Sequence, residues 1–205
     1  MGATITIGIR GARRRETEIK LAVEAPAALL KQLKRLGFYR SGEREFERNE
    51  IFDFPDGWMR RSERLLRLRL AGDSYTLTYK GAPRASEHYK IRQEIECHTG
   101  EADELRRILE AIGLEIVFRY EKFRTTYLPA ANRRDKDRGL LVLDETPIGT
   151  YVELEGPTAW IDRVARRLGY GRDDYITESY AGLFARRRKA RRLACRDMVF
   201  MRRIS

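Results

Sequence analysis

Glu16-Thr17-Glu18-Ile19-Lys20 is the stretch on which the reading of this chain turns. In a strand, successive side chains point to opposite faces. Glu16, Glu18 and Lys20 then share one face, and Thr17, Ile19 and Leu21 share the other. Two carboxylates beside an amine suit a metal-assisted phosphate site. For one such stretch alone, the solvated outer face of a half-buried strand is the commoner reading. The choice rests on whether other strands repeat the pattern.

Working outward, the pattern recurs. Leu66, Leu68 and Leu70 alternate with Arg67 and Arg69, and Tyr75, Leu77 and Tyr79 with Thr76, Thr78 and Lys80. Arg92, Glu94 and Glu96 oppose Ile91, Gln93, Ile95 and Cys97, a placement that gives Cys97 a packing role. Lys122 and Arg124 share a face with Tyr120, Glu153 and Glu155 oppose Val152 and Leu154, and Asp144 ends the apolar run 140–143. Strands are expected over 16–23, 45–54, 65–70, 74–80, 90–97, 117–127, 140–143 and 151–155. Between them lie amphipathic helices over 26–36, 101–112 and 158–168. Pro26 suits a first helical turn, and Gly37 and Gly113 suit stops. A fourth helix, with Thr177 as its cap, runs through Tyr180 and Leu183 into a basic tail.

The shared faces carry seven acids (Glu16, Glu18, Glu94, Glu96, Asp144, Glu153, Glu155) and seven bases (Lys20, Arg67, Arg69, Lys80, Arg92, Lys122, Arg124). Burying so many charges in a dry core is costly. Two architectures avoid that: a flat sheet with its charged face in water, and a closed barrel with a wet interior and helices outside. A barrel of about eight strands can hold one small ligand. The charge balance favours the barrel. It could neutralise itself as a salt-bridge lattice, or hold a triphosphate with its metal ions. Carboxylates suit magnesium or manganese, and arginine forks and lysines suit phosphate.

Composition sets the bounds. The 205 residues fit one domain, 42% hydrophobic and 36% charged. No apolar run reaches the roughly 18 residues that span a bilayer. With no signal-like leader and two cysteines, Cys97 and Cys195, a reducing cytoplasm is the expected location. The net charge of +11 sits at the ends, with +8 in 186–205 and +4 in 1–15, which leaves 16–185 at −1. The chain therefore divides into a basic arm (1–15, where 4–7 could add a strand), a central domain (16–185) and a solvated basic tail (186–205). Contact of these ends with nucleic acid or polyphosphate is a secondary expectation. A polar, charged loop is expected over 132–139.

The ordered set resembles the CYTH superfamily, the triphosphate tunnel metalloenzymes. Its E-x-E-x-K opening stands here as Glu16-Thr17-Glu18-Ile19-Lys20. Leu66-Arg67-Leu68-Arg69, Thr78-Tyr79-Lys80-Gly81, Arg92-Gln93-Glu94-Ile95-Glu96, Lys122-Phe123-Arg124, Leu143-Asp144-Glu145 and Glu153-Leu154-Glu155-Gly156 follow in family order. Tyr175 to Leu183 looks like the closing helix of the cyclase-like branch. The resemblance implies an α+β fold, a closed eight-stranded antiparallel β-barrel with amphipathic helices packed outside. It implies Glu16, Glu18, Asp144, Glu153 and Glu155 as metal-side acids for Mg2+ or Mn2+. Lys20, Arg67, Arg69, Lys80, Arg92, Lys122 and Arg124 would hold the triphosphate, and Glu16, Glu18, Lys20, Glu153 and Glu155 would serve catalysis. Glu94 and Glu96 have family equivalents whose roles vary. The implied activity is class IV adenylate cyclase-like, converting ATP to cyclic AMP and pyrophosphate. The alternative is a triphosphatase acting on tripolyphosphate, thiamine triphosphate or a nucleoside triphosphate, and a remoter one is a non-catalytic polyphosphate or RNA binder. A monomer or homodimer without membrane association is expected. Ile51 stands where the family often carries an aromatic before Phe52-Asp53, so the far end of the substrate is undefined.

Overall fold

The computed structural model describes residues 14–130 and 139–201. Most of the basic arm, including its expected strand, and the charged loop up to residue 138 lie outside these. The strands are β1 (Arg14–Val23), β2 (Phe38–Arg40), β3 (Glu45–Asp53), β4 (Leu65–Ala71), β5 (Ser74–Lys80), β6 (Lys90–Thr99), β7 (Glu115–Pro129), β8 (Leu140–Thr146) and β9 (Gly149–Glu155). The helices are α1 (Pro26–Arg35), α2 (Trp58–Arg61), α3 (Ala102–Ala111), α4 (Thr158–Arg167) and α5 (Tyr180–Arg191).

The strands run round in the order β7-β3-β4-β5-β6-β1-β9-β8, and β8 pairs back onto β7. This closes an eight-stranded antiparallel barrel, with β2 hydrogen-bonded to the far end of β7 outside the ring. β7 makes closure possible by its length of 15 residues. Its first part pairs with β3, and its 123–127 segment pairs with β8. Closure matters because an open sheet leaves two edges of unpaired backbone groups.

The register sends the alternating charged series named in the sequence to one side. Glu18 lies opposite both Lys90 and Glu155, Lys20 opposite Glu153, and Glu16 opposite Arg92. Arg124 lies opposite Asp144, and Glu47 opposite Lys122. The apolar series of the same strands point outward and are roofed by helices. Leu29 and Leu33 of α1, with Trp160, Ile161, Val164 and Ala165 of α4, pack on Ile19, Leu21, Leu141, Leu143, Val152 and Leu154. Each such buried aliphatic side chain contributes about 2 kcal/mol. α4 fits closely because Gly139 lies beneath it: a Cβ there would come within 2.5 Å of the Trp160 ring.

α3 leans on Phe52 and Leu68, with Tyr75 and Leu77 at the margin, in a cluster that includes no buried hydrophobic residue of β6. The outer face of β6 is thus uncovered at its end. Cys97, expected to pack, is exposed, and so is Ile95. α2 is a single turn held by Asp53, whose carboxylate accepts from the backbone N–H groups of Met59 (2.7 Å) and Arg60 (3.0 Å).

α5 closes one end of the barrel. Tyr180, Leu183 and Phe184 pack with Tyr120 and Ile148. Its cap is Ser179 rather than Thr177, with the Ser179 hydroxyl accepting from the Gly182 N–H at 3.2 Å. The helix continues to Arg191, so the tail expected as solvated from residue 186 begins as helix. The chain then returns to β7. Met198 N–H donates to the Arg119 carbonyl (2.9 Å), Glu121 N–H donates to the Met198 carbonyl (2.9 Å), and the Met198 side chain is fully buried. Fastening Met198 beneath α5 removes apolar surface that a free tail would leave in water.

Candidate functional site: a charge-lined tunnel

The barrel interior is built from the inward series of all eight strands. β1 supplies Glu16, Glu18 and Lys20, and β9 supplies Glu153 and Glu155. Lys20 lies 3.5 Å from Glu18 and 3.1 Å from Glu153. Arg124 of β7 joins Glu153 and forks onto Asp144, Nε to Oδ1 at 2.7 Å and Nη2 to Oδ2 at 2.6 Å. Lys122 donates to Asp144 at 2.9 Å, and the Tyr180 hydroxyl of α5 donates to the same carboxylate at 2.8 Å. These contacts make one connected network from β1 through β9 and β8 to β7.

A second group lies on β1, β5 and β6. Lys80 reaches Glu16 at 2.5 Å and Glu94 at 3.2 Å. A third lies on β4 to β6. Thr78 takes an Arg67 N–H at 3.2 Å and donates to Glu96 at 3.0 Å, while Arg69 lies 3.9 Å from Glu96. Arg69 also lies 3.7 Å from Glu47, which connects this group to Lys122 and Arg124. The structure thus brings six of the seven named bases, Lys20, Arg67, Arg69, Lys80, Lys122 and Arg124, into ion-paired groups in one interior. Arg92 stands apart, buried and with no hydrogen-bond partner at Nε. Glu155 lies across from Glu18 on the same face.

Electrostatics follow from enclosure. Burial by itself would raise the Glu18 carboxyl, but the Lys20, Lys80 and Lys90 ammonium groups overcome it and hold it at about 2. Burial likewise opposes ionisation of Glu153, and Lys20 and Arg124 drive it well below the usual range. Glu94 goes the other way: burial and its hydrogen bond to Glu16 push it up to about 8. Lys90 is brought down to about 8 by burial and by Lys20.

Sequence reasoning missed four interior residues. Glu47 and Asn49 of β3 escaped because the opposite face of that strand carries Arg48 and Glu50, which erases the alternation. Lys90 had the right parity but stands first in its strand, 3.5 Å from Glu18. Tyr180 reaches the tunnel from a helix, which strand periodicity does not register. With Glu47 and Lys90 added, acids and bases still balance.

The donor chemistry suits a hard divalent ion, since Glu18, Glu153 and Glu155 offer only oxygen and occupy neighbouring positions on β1 and β9. Among the described residues no three acidic, histidine or cysteine side chains converge on one point. Glu16, Glu18, Asp144 and Glu153 each face a lysine or arginine instead. At the end away from α5 the tunnel opens into a cavity of about 370 Å³, lined by Glu45, Glu47, Arg69, Thr76, Arg124 and Glu155 among others.

The CYTH domain profile matches residues 14–180. The chain belongs to the CYTH domain family. A protein of Methanocaldococcus jannaschii, provisionally named an adenylate cyclase, is 26% identical over 178 residues, which is 82% of this chain and 97% of that one. A Vibrio parahaemolyticus crystal structure with the same provisional name shares the fold at a TM-score of 0.71 and 18% identity, covering 85% of this chain and 99% of that one. A Hippeastrum protein, provisionally named an adenylyl cyclase and described as having a dominant triphosphatase activity, aligns at a TM-score of 0.59 and 20% identity, over 85% and 96% of the two chains. The CYTH match ends at Tyr180, so the rest of α5 and the returning segment around Met198 lie beyond the matched residues. No helix among the described residues is long and apolar enough to cross a membrane.

Proposed function

We propose that this CYTH protein is a metal-dependent enzyme that binds a triphosphate-containing substrate inside the barrel. The observation that carries this is the placement of Lys20, Arg67, Arg69, Lys80, Lys90, Lys122 and Arg124 together on the inner face of the barrel. Lysines and arginines fixed there need little reorganisation when phosphate charge arrives, which is how such groups stabilise phosphoryl transfer. Glu16, Glu18, Glu153 and Glu155 would hold magnesium or manganese. Such an ion screens phosphate charge and lowers the pKa of an oxygen nucleophile. Asp144 joins that side only by releasing one of its contacts to Lys122, Arg124 or Tyr180.

The reaction we favour is cyclisation of ATP. The ribose 3′-hydroxyl gives its proton to a carboxylate of the acidic wall or to water, its oxygen bonds to the α-phosphorus, the bond from that phosphorus to the oxygen bridging to the β-phosphorus breaks, and pyrophosphate leaves. Lys20, Lys122 and Arg124 would hold phosphoryl oxygens through that exchange. The provisional names of the Methanocaldococcus and Vibrio relatives support it. The Hippeastrum relative supports a second reading, hydrolysis of a triphosphate by water. Both proceed without a covalent intermediate on His or Cys. Of the described histidines, His98 lies at the strand end against Thr76 (3.0 Å) and His88 lies in the loop before β6.

The deciding experiment is incubation with ATP, and separately with tripolyphosphate, plus magnesium or manganese. Cyclic AMP with pyrophosphate supports cyclisation. Orthophosphate from tripolyphosphate with no cyclic AMP from ATP rejects it in favour of hydrolysis. No turnover of either, together with no binding, rejects the tunnel reading. Removing metal with a chelator is expected to abolish turnover.

A further inference from the structure

One side chain in the tunnel has neither charge nor partner. Asn49 is 1% exposed, opposite Arg69 of β4 and Tyr120 of β7, and neither its Oδ1 nor its Nδ2 has a hydrogen-bond partner. Because both atoms are unpartnered, this does not depend on which way the amide is turned. Glu47 Oε2 and Arg67 Nε, on the same and the adjacent strand, also lack hydrogen-bond partners. A buried amide left unbonded works against folding, and leucine would fill the same space without that cost. Such a group calls for an explanation.

The amide's needs describe the occupant. It offers two N–H donors and a carbonyl acceptor. Phosphoryl oxygens satisfy the donors only. The carbonyl needs an O–H or N–H, and the neighbouring bases bond elsewhere: Arg69 pairs with Glu47 and Glu96, Arg67 donates to Thr78 and to the Tyr120 hydroxyl, and Lys122 donates to Asp144. We propose that Asn49 contacts the substrate directly, its Nδ2–H donating to a phosphoryl oxygen and its Oδ1 accepting from an O–H group held beside the phosphate chain. That O–H belongs either to the group attached to the triphosphate or to a water molecule. The surrounding bases supply charge, while the amide supplies direction, since it accepts only an occupant that presents a donor and an acceptor side by side. This inference rests on the triphosphate reading of the tunnel.

The test is calorimetric titration of the full chain and its Asn49→Leu variant with tripolyphosphate and with ATP, each with magnesium, together with the melting temperature without ligand. Asn49→Leu is expected to melt at or above the wild-type temperature and to bind about ten- to a hundredfold more weakly. A greater loss for ATP than for tripolyphosphate assigns the O–H to the attached group, and an equal loss assigns it to water. Asn49→Ala, titrated in the same way, serves if the leucine variant does not fold. Unchanged affinity in the variant overturns the proposal and leaves the tunnel reading standing. A leucine variant that folds but melts well below wild type also overturns it, because the amide's partner is then in the protein itself. A wild-type chain that binds neither probe overturns both.

Discussion

At the scale of single residues, the tunnel is a lattice in which each charge depends on its partners. Arg124 shows this most clearly, touching Asp144, Glu153 and Glu47. Arg124→Ala leaves the fully buried Asp144 with one fewer counter-charge. It is expected to cost about 3–5 kcal/mol in a urea unfolding titration and to remove triphosphate binding. Glu47 carries a pH signature. Burial would raise it, but Lys122, Arg124 and Arg69 hold it at about 2 against an ordinary 4.5. Between those values the unfolded chain binds the extra proton, so stability falls as pH falls through the window and is fully present above it. The contribution is about 3 kcal/mol. Glu47→Gln should lower stability at pH 7 and flatten the acid limb of a pH–stability profile; an unchanged limb would refute the assignment. Most of these partners were legible as residue types on a shared face. Glu47 and Asn49 were not, because the charges on the outer face of β3 hide the period that marks the other strands.

At the scale of elements, the long periodic segments were legible and the short ones were not. α1, α3 and α4 show apolar stripes at helical spacing that any sequence reader can find. β2 and α2, at three and four residues, are too short to show a period. The extent of α5 and the return of the chain to β7 were also hidden, because a run of Arg and Lys looks solvated unless its neighbours are known. Met198 is the residue that fastens this return. Met198→Ala should destabilise the protein by about 2–4 kcal/mol. It should also make backbone amides of α5 exchange with solvent faster than those of α4, which hydrogen-exchange measurement would detect. Equal protection in the two helices would show that the returning segment does not hold α5. Tyr180→Phe removes one donor from Asp144 and is expected to cost about 1–3 kcal/mol.

At the scale of the whole molecule, a ligand that bridges strands should act on global stability. Saturating tripolyphosphate with magnesium is expected to raise the melting temperature in proportion to the logarithm of its concentration, about 2.7 kcal/mol at a hundredfold excess over the dissociation constant. No shift would mean that the tunnel does not bind it. The amino-acid sequence by itself determined which residues alternate along each strand, which faces are apolar enough to need helices, and, from the ordered motifs, the family. It did so because strand and helix periods are local properties of the chain. Only the tertiary structure decided which face is the inside. A charged face is solvent-facing on an open sheet and enclosed in a barrel, and the two strands are spelled the same way. The difference is the pairing of Phe123–Tyr127 with Leu141–Glu145, and of Glu18–Val23 with Thr150–Glu155. Those contacts join distant parts of the chain, and they turn Glu16, Glu18 and Lys20 from a charged strand face into part of an enclosed wall.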